Sequence, residues 1–337
     1  MNILTIVLIQ ITYKRGITMN NTTQKTMSRG FLSALIIPAS VNNWRGNDSK
    51  TILKKIVSRS RKLKKVDWLK FSKRLLTWID SPLSATTPPP LSMFRPGNGK
   101  LPFLNWSNLP GVNCPGAGDC IKVTIFSQFA GWCYSLKAWR YAAAFLRQVQ
   151  NSILESGPVY RLLIVNELKR LLNTKKYSGA AVPFRLYVDG DFKSLDMLRF
   201  WMDTLKKFPR LKAYGYSKSL HLFKELDESG YKWPDNYSLN ISSGGKYEAG
   251  SIGYYVSQMD ITRGKFTAVS VQKSIVTAWK KQTLTKAQRI EIKSGFQDQK
   301  TFLCPRLCGS CTLIKKNPHA CGNRENFNNV NILIPIH

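Results

Sequence analysis

Acidic side chains are scarce in this 337-residue chain: 19 Asp and Glu stand against 51 Lys and Arg, a formal net charge of +32. A polyanion relieves self-repulsion on that scale most readily, so nucleic acid is the first expected partner and an anionic membrane surface the competing one. Histidine is scarcer still. With only His221, His319 and His337, no Ser-His-Asp or Cys-His pairing can be assembled from spacing. No Walker-type phosphate loop and no G-x-G-x-x-G run occurs, which removes the commonest nucleotide-binding signatures. Near the start, the apolar run Ile3–Ile11 is too short to span a bilayer and lacks a basic leader. A second stretch, "FLSALIIPASV" from Phe31, ends in a weak cleavage signal, so a cytoplasmic protein is expected. Lys14, Arg15 and Gly16 can be encoded by a purine-rich run of the kind that precedes a bacterial start, which points to translation from Met19.

What is present suffices for a large core: 43% hydrophobic residues, with nine Trp and sixteen Phe. The cations concentrate early. From Lys50 to Arg74 there are eleven Lys or Arg and one acid, while Ile52, Ile56, Leu63, Val66, Leu69 and Leu76 recur at helical spacing, with Asp48 or Ser49 available as a cap. One or two basic amphipathic helices are expected over residues 1–80. Lys54, Lys55, Arg59, Arg61, Lys62, Lys64, Lys65, Lys70, Lys73 and Arg74 are the candidate phosphate contacts, and Trp68 and Phe71 can pack inward or stack on a base. Residues 81–102 are proline-rich, which excludes regular helix and reads as an extended linker ahead of the main domain.

Residues 103–300 alternate between strand and helix patterns. "FRLYVDGDF" from Phe184, "LKAYGYSKS" and "YSLNISSGG" read as strands; "SLDMLRFWMDTLKKF", with Ser194 as N-cap, and Leu220–Glu228 read as helices between them. This order implies right-handed crossovers and an α/β fold, an open or partial-barrel, mostly parallel sheet with crossover helices. Ligands collect at the carboxyl ends of such strands, where Asp189, Asp191, Lys218 and Ser243 are the candidate catalytic residues. A long helix is expected from Ser135 to Leu154, carrying Arg140 and Arg147 seven apart on one face that can meet phosphates.

Cysteine is absent from the first 113 residues and from 134 to 303, yet three cysteines crowd between 114 and 133 and four between 304 and 321. In residues 301–337 the spacing C-x3-C-x2-C-x9-C lets Cys304, Cys308, Cys311 and Cys321 converge on one metal centre, zinc or an iron-sulfur cluster; a disulfide pairing or free thiols are the alternatives. Arg306, Lys315 and Lys316 would offset the charge of such a site, and His319 could replace a thiolate. Cys304, Cys308 and Cys311 alone have the spacing of radical S-adenosylmethionine enzymes, but Ser310 stands where an aromatic is usual and Cys321 can fill the open position. The open three-ligand set, and with it an S-adenosylmethionine-dependent activity, would therefore fall to Cys114, Cys120 and Cys133.

Over residues 100–337 the chain resembles a known family. "CPGAGDC" followed by "CYSLKAWR", then "VDGDFKS", "YGYSKS", "ISSGG" and a terminal cysteine run ending in "IPIH" resemble the phage gene-product-88-like proteins of mobile elements, from which the stretch between Cys120 and Cys133 departs. The resemblance implies phage or plasmid origin rather than an activity. In length and basicity the chain is also similar to plasmid fertility-inhibition proteins, which repress transfer genes and so block conjugation. The functional expectation is a nucleic-acid-binding regulator of a plasmid or phage, with an iron-sulfur enzyme as the alternative.

Overall fold

The structure is a computed structural model that describes residues 46–111, 113–121, 131–179, 181–308, 311 and 320–336. The N-terminal apolar runs, Met19, Lys315, Lys316, His319 and His337 lie outside these residues.

Two helices open the described chain, α1 (Gly46–Lys62) and α2 (Val66–Asp80). The arm is thus a helical pair rather than one rod, turned at Lys64, which takes a left-handed φ of 51°. Helix α1 begins at Gly46, ahead of the expected caps, so Asp48 and Ser49 lie within its first turn. Ile52, Leu53 and Ile56 on α1 and Trp68, Leu75 and Trp78 on α2 are buried together, and a Lys50–Asp80 ion pair of 2.7 Å ties the helices. The pair is docked on the main domain: Trp68 lies 5.6 Å from the Phe145 ring and Trp78 lies 5.4 Å from Tyr160. The proline-rich segment is packed as well, not free. Leu91, Met93 and Phe94 enter the same core, and the Gln150 amide both donates to Leu91 O (2.7 Å) and accepts from Leu91 N (2.9 Å). Side-chain amides from a buried helix here supply the backbone partners that proline-interrupted chain cannot find in secondary structure.

Seven parallel strands form one open sheet among the described residues: β1 (Leu104–Asn105), β2 (Val182–Arg185), β3 (Leu211–Ser217), β4 (Tyr237–Ser242), β5 (Thr262–Val269), β6 (Thr301–Leu303) and β7 (Asn331–Pro335). Their order is β1-β2-β3-β4-β5-β7-β6, so the sheet has two edges and does not close. Helices α3 (Ala142–Ser156) and α4 (Arg161–Leu172) lie between β1 and β2; α5 (Leu195–Lys207), α6 (Leu220–Glu228) and α7 (Ser251–Ser257) join successive strands; α8 (Lys273–Lys281) and α9 (Lys286–Ser294) precede β6. Two expectations are met closely here. Helix α5 starts after Ser194, whose hydroxyl accepts from Met197 N at 3.3 Å, and α6 spans Leu220–Glu228 as its apolar spacing requires.

Strand order decides which face each connection covers. Every step from β1 to β5 moves the same way across the sheet, and right-handed crossovers then place the helices on one face. Phe184, Ala213, Leu239 and Ile241 bury into that helical layer, and Leu333 packs with Ile275, Trp279 and Ile292 of α8 and α9. Only the step from β6 to β7 runs backward, so its connection crosses the opposite face. There Tyr214 and Ile332 meet Ala320, Cys321, Leu101 and Phe103. The described residues of the cysteine-rich tail therefore lie on this second face of the sheet, followed by the short helix α10 (Arg324–Phe327). No helix among the described residues is long and apolar enough to cross a membrane.

Candidate functional site

The carboxyl end of β2 differs from its expected form. The strand stops at Arg185 because Tyr187 takes φ 58° and Gly190 φ 82°, and a Cβ at Gly190 would fall 1.5 Å from Asn108 Oδ1. This turn separates the two aspartates. Asp189 accepts from Gln148 Nε2 at 3.0 Å and lines a cleft with Arg95, Arg147 and Asn98. Asp191 is buried and accepts from Ser217 Oγ (2.8 Å), Lys218 N (2.8 Å), Ser219 N (3.1 Å) and Phe192 N (2.8 Å). Burial raises both carboxyl groups above the ordinary range, and these hydrogen bonds only partly offset it. The Lys218 ammonium donates to Ser242 Oγ and sits 5.7 Å from the Trp132 ring. Ser243 turns away, its hydroxyl accepting from Ala268 N at 2.8 Å. Of the four expected residues, the structure thus joins Asp191 and Lys218, supplies Ser242 as the lysine's partner, and places Asp189 and Ser243 elsewhere.

The first three cysteines arrive at this same strand end. Lys246 N donates to Gly116 O at 2.9 Å, Gly118 N donates to Gly244 O at 3.2 Å, and Ala117 bridges Gly245. A Cβ at Gly116 would stand 1.8 Å from the Lys218 carbonyl oxygen, so this contact requires glycine. Cys133 N then donates to Cys120 O at 2.9 Å, which brings the far side of the 122–130 segment back to the site. Burial raises all three thiols; the Asp191 carboxylate and Cys133 add to this at Cys114, whereas Lys218 eases it at Cys120. Cys133 stands at the N-cap of a short 3-10 helix, Tyr134–Arg140, with no side-chain capping hydrogen bond.

The C-terminal group lies on the other face of the sheet. Cys304 follows β6 and its amide donates to Leu333 O at 2.9 Å; Cys308 N donates to Lys100 O at 2.8 Å; Asn240 Nδ2 donates to Cys321 O at 2.9 Å. The Cys304, Cys308, Cys311 and Cys321 thiols sit close enough to disfavour one another's ionisation, and burial together with Cys321 and Cys308 pushes Cys311 up to about 12. Each sulfur faces a donor: Arg306 N at 3.4 Å for Cys304, the Tyr214 hydroxyl for Cys308, the Ala320 amide for Cys311 and the Tyr216 hydroxyl for Cys321. All seven cysteines are free thiols. Among the described residues, no three His, Cys, Asp or Glu side chains stand close enough together to hold one metal ion.

The basic residues divide by element. On α1, α2 and the turn between them, Lys54, Lys55, Arg59, Arg61, Lys62, Lys64, Lys70, Lys73 and Arg74 are exposed and Lys65 is half-buried. Arg140 and Arg147 do not share a helix face as expected, since the chain is extended at Tyr141 between the 3-10 helix and α3. Arg140 is exposed beside the Tyr141 ring, while Arg147 turns inward and donates to Ser92 O at 2.8 Å. One buried carboxyl group had no signal in the sequence beyond an acid in an apolar helix. Glu155 on α3 receives Trp106 Nε1 (2.6 Å), Tyr187 Oη (2.8 Å) and Trp201 Nε1 (2.9 Å) on Oε1, and Asn108 Nδ2 (2.8 Å) on Oε2.

No curated protein and no solved structure matches the chain significantly. The family described as "Gene product 88" does match, over residues 82–321. The match begins earlier than the sequence resemblance, taking in the proline-rich segment that the fold packs into the core, and it reaches Cys321. Nothing in these comparisons supports the likeness to fertility-inhibition proteins. It spans both cysteine groups and more than two thirds of the sequence, and on that extent the chain belongs to the gene product 88 family.

Proposed function

We propose that this protein is a nucleic-acid-binding regulator of a phage or related mobile element, gripping phosphates with the outer face of α1 and α2. One observation carries the reading: nine of the eleven cations on that helical pair and its turn are exposed while its aromatic face is anchored on the domain. Anchoring fixes the cations in position before binding, and each phosphate they neutralise releases counterions. With six or more such contacts, affinity for duplex DNA or RNA falls at least about a hundredfold between about 50 and 200 mM salt. A filter-binding or anisotropy titration across salt measures this, and an absence of binding at low salt refutes the reading.

A second reading rests on a separate observation, the meeting of Cys114, Cys120 and Cys133 with Asp191 and Lys218 at the carboxyl ends of β2 and β3. Under it these thiols hold an iron-sulfur cluster, Lys218 supplies a positive charge beside a bound anionic group, and Asp191 fixes the loop that carries the lysine. Bound there and reduced by an external one-electron donor, such a cluster would supply the electron that cleaves S-adenosylmethionine. Anaerobic reconstitution followed by an S-adenosylmethionine cleavage assay decides: a colourless, inactive protein removes this alternative.

A further inference from the structure

The cleft that Asp189 lines runs between the proline-rich segment and α3, and its volume of about 70 Å³ is room for one oxyanion in place of a few waters. One wall is a tight turn at Gly97, which takes φ 95° and whose Cβ would stand 2.2 Å from Leu101 O. Within that turn Asn98 Oδ1 accepts from Lys100 N (2.9 Å) and Leu101 N (3.0 Å), and its Nδ2 has no partner among the described residues. The facing wall is Arg147. Its Nε is fixed on Ser92 O, while its two terminal nitrogens have no partner among the described residues. Arg95 stands exposed at the rim, its side chain in no hydrogen bond there. Neither arginine forms an ion pair among the described residues. They are close enough to repel, since burial, with the Arg95 guanidinium beside it, lowers Arg147 to about 10. Gln148, 2% exposed, marks the deep end, where it holds Asp189, and the counter-charge felt by Asp189 is Arg185.

We propose that this cleft is a phosphate-monoester pocket, in which Arg95 and Arg147 clamp the oxyanion and Asn98 Nδ2 adds a donor. Guanidinium forks match the geometry of phosphate oxygens, and a bound anion relieves the repulsion between the two arginines. Asp189 then acts on selectivity. A carboxyl at the deep end repels a second phosphate, so a run of diesters cannot thread the cleft, whereas one terminal phosphate can enter at the arginine side. The end of a nucleic-acid strand and a small phosphate monoester share this chemistry. A third guanidinium favours the strand end: Arg74 of α2 donates to Pro90 O at 3.3 Å, so Arg74, Arg147 and Arg95 are strung along Pro90–Arg95 and lead from the cationic helices into the cleft. This choice of source rests on the nucleic-acid reading above; the pocket does not.

Inorganic phosphate is titrated into the full chain and followed by phosphorus NMR line broadening. Saturation at one phosphate per chain is expected, with affinity lower by at least about tenfold in Arg95→Gln and Arg147→Gln, as loss of one hydrogen bond to a charged group gives. Lys273→Gln, which removes an exposed cation at the start of α8, leaves it unchanged. Because Arg147 also holds Ser92, Arg95→Gln with an unaltered thermal melt carries the conclusion if Arg147→Gln fails to fold. Phosphate binding that survives Arg95→Gln, or that falls equally in Lys273→Gln, overturns the pocket. Oligonucleotides of one sequence with phosphate or hydroxyl ends are then compared by anisotropy. A preference for the phosphorylated end of at least about tenfold, lost in Arg95→Gln, assigns the pocket to strand ends. Equal affinities assign it to a small monoester and overturn the strand-end source. If the reading of α1 and α2 fails, no oligonucleotide binds at low salt while the titration with inorganic phosphate is unaffected, so the two failures are distinct.

Discussion

Glu155 sits among two indole nitrogens, a phenol and an amide without any cation, and its carboxyl is pushed up to about 7, burial being the cause and the four donors opposing it. The folded form therefore holds a proton that the unfolded form releases near its ordinary value of 4.5. Protons bound in excess by the native state make stability fall as pH rises, here between about 4.5 and 7, by about 3 kcal/mol in total. Glu155→Gln removes that contribution. Thermal melts at pH 5 and pH 8 should show a steeper loss for the parent than for the variant; equal slopes would place the proton elsewhere. Nothing local in the sequence announces this residue, because its partners lie 32 to 49 positions away on other elements. Ser194 is the opposite case: its role as a cap depends only on the three residues that follow it, and it was readable. Asp189 and Asp191 fall between these cases. Their place after a strand was legible, but the left-handed turn at Tyr187 that parts them was not.

Among the elements, α1 and α2 combine an apolar stripe with a cationic outer face, and each half makes its own prediction. Replacing Lys54, Lys55 and Lys73 by Gln should reduce the slope of log affinity against log salt by about 2 to 3 if each meets a phosphate, with the circular dichroism unchanged. An unaltered slope would show that these side chains do not touch the nucleic acid. Trp68→Ala addresses the anchoring face. The indole is buried against Phe145, so its removal should cost about 3 to 5 kcal/mol, measured by denaturant unfolding. Loss below about 1 kcal/mol would mean the pair is not integral to the core. The periodic pattern exposed these helices because a helix face is a local property. It misled at 135–154 because a 3-10 helix followed by an α-helix has nearly the same apolar spacing as one long helix. Only the extended backbone at Tyr141, an effect of packing, separates them.

At the scale of the molecule, the parallel sheet was legible from the alternation of strand and helix patterns between 184 and 242. The position of β7 was not, since strand order depends on pairings that no window of sequence contains. Residues 301–337 read as a terminal module, whereas β7 lies inside the sheet, hydrogen-bonded to β5 on one side and β6 on the other. Truncation after residue 300 should therefore abolish cooperative unfolding of the whole chain rather than release a dispensable tail. Recovery of a soluble fragment with a sharp thermal transition would contradict this.

That placement also bears on how the chain is made. β5 is complete at residue 269, but its neighbour β7 exists only once residue 335 has been synthesised, so the nascent chain carries an unfilled, apolar strand edge throughout the interval. At typical elongation rates the gap lasts about 3 to 13 s, long compared with the collapse of a domain. A chain stalled within it displays the Thr262–Val269 edge to chaperones, proteases and other nascent copies.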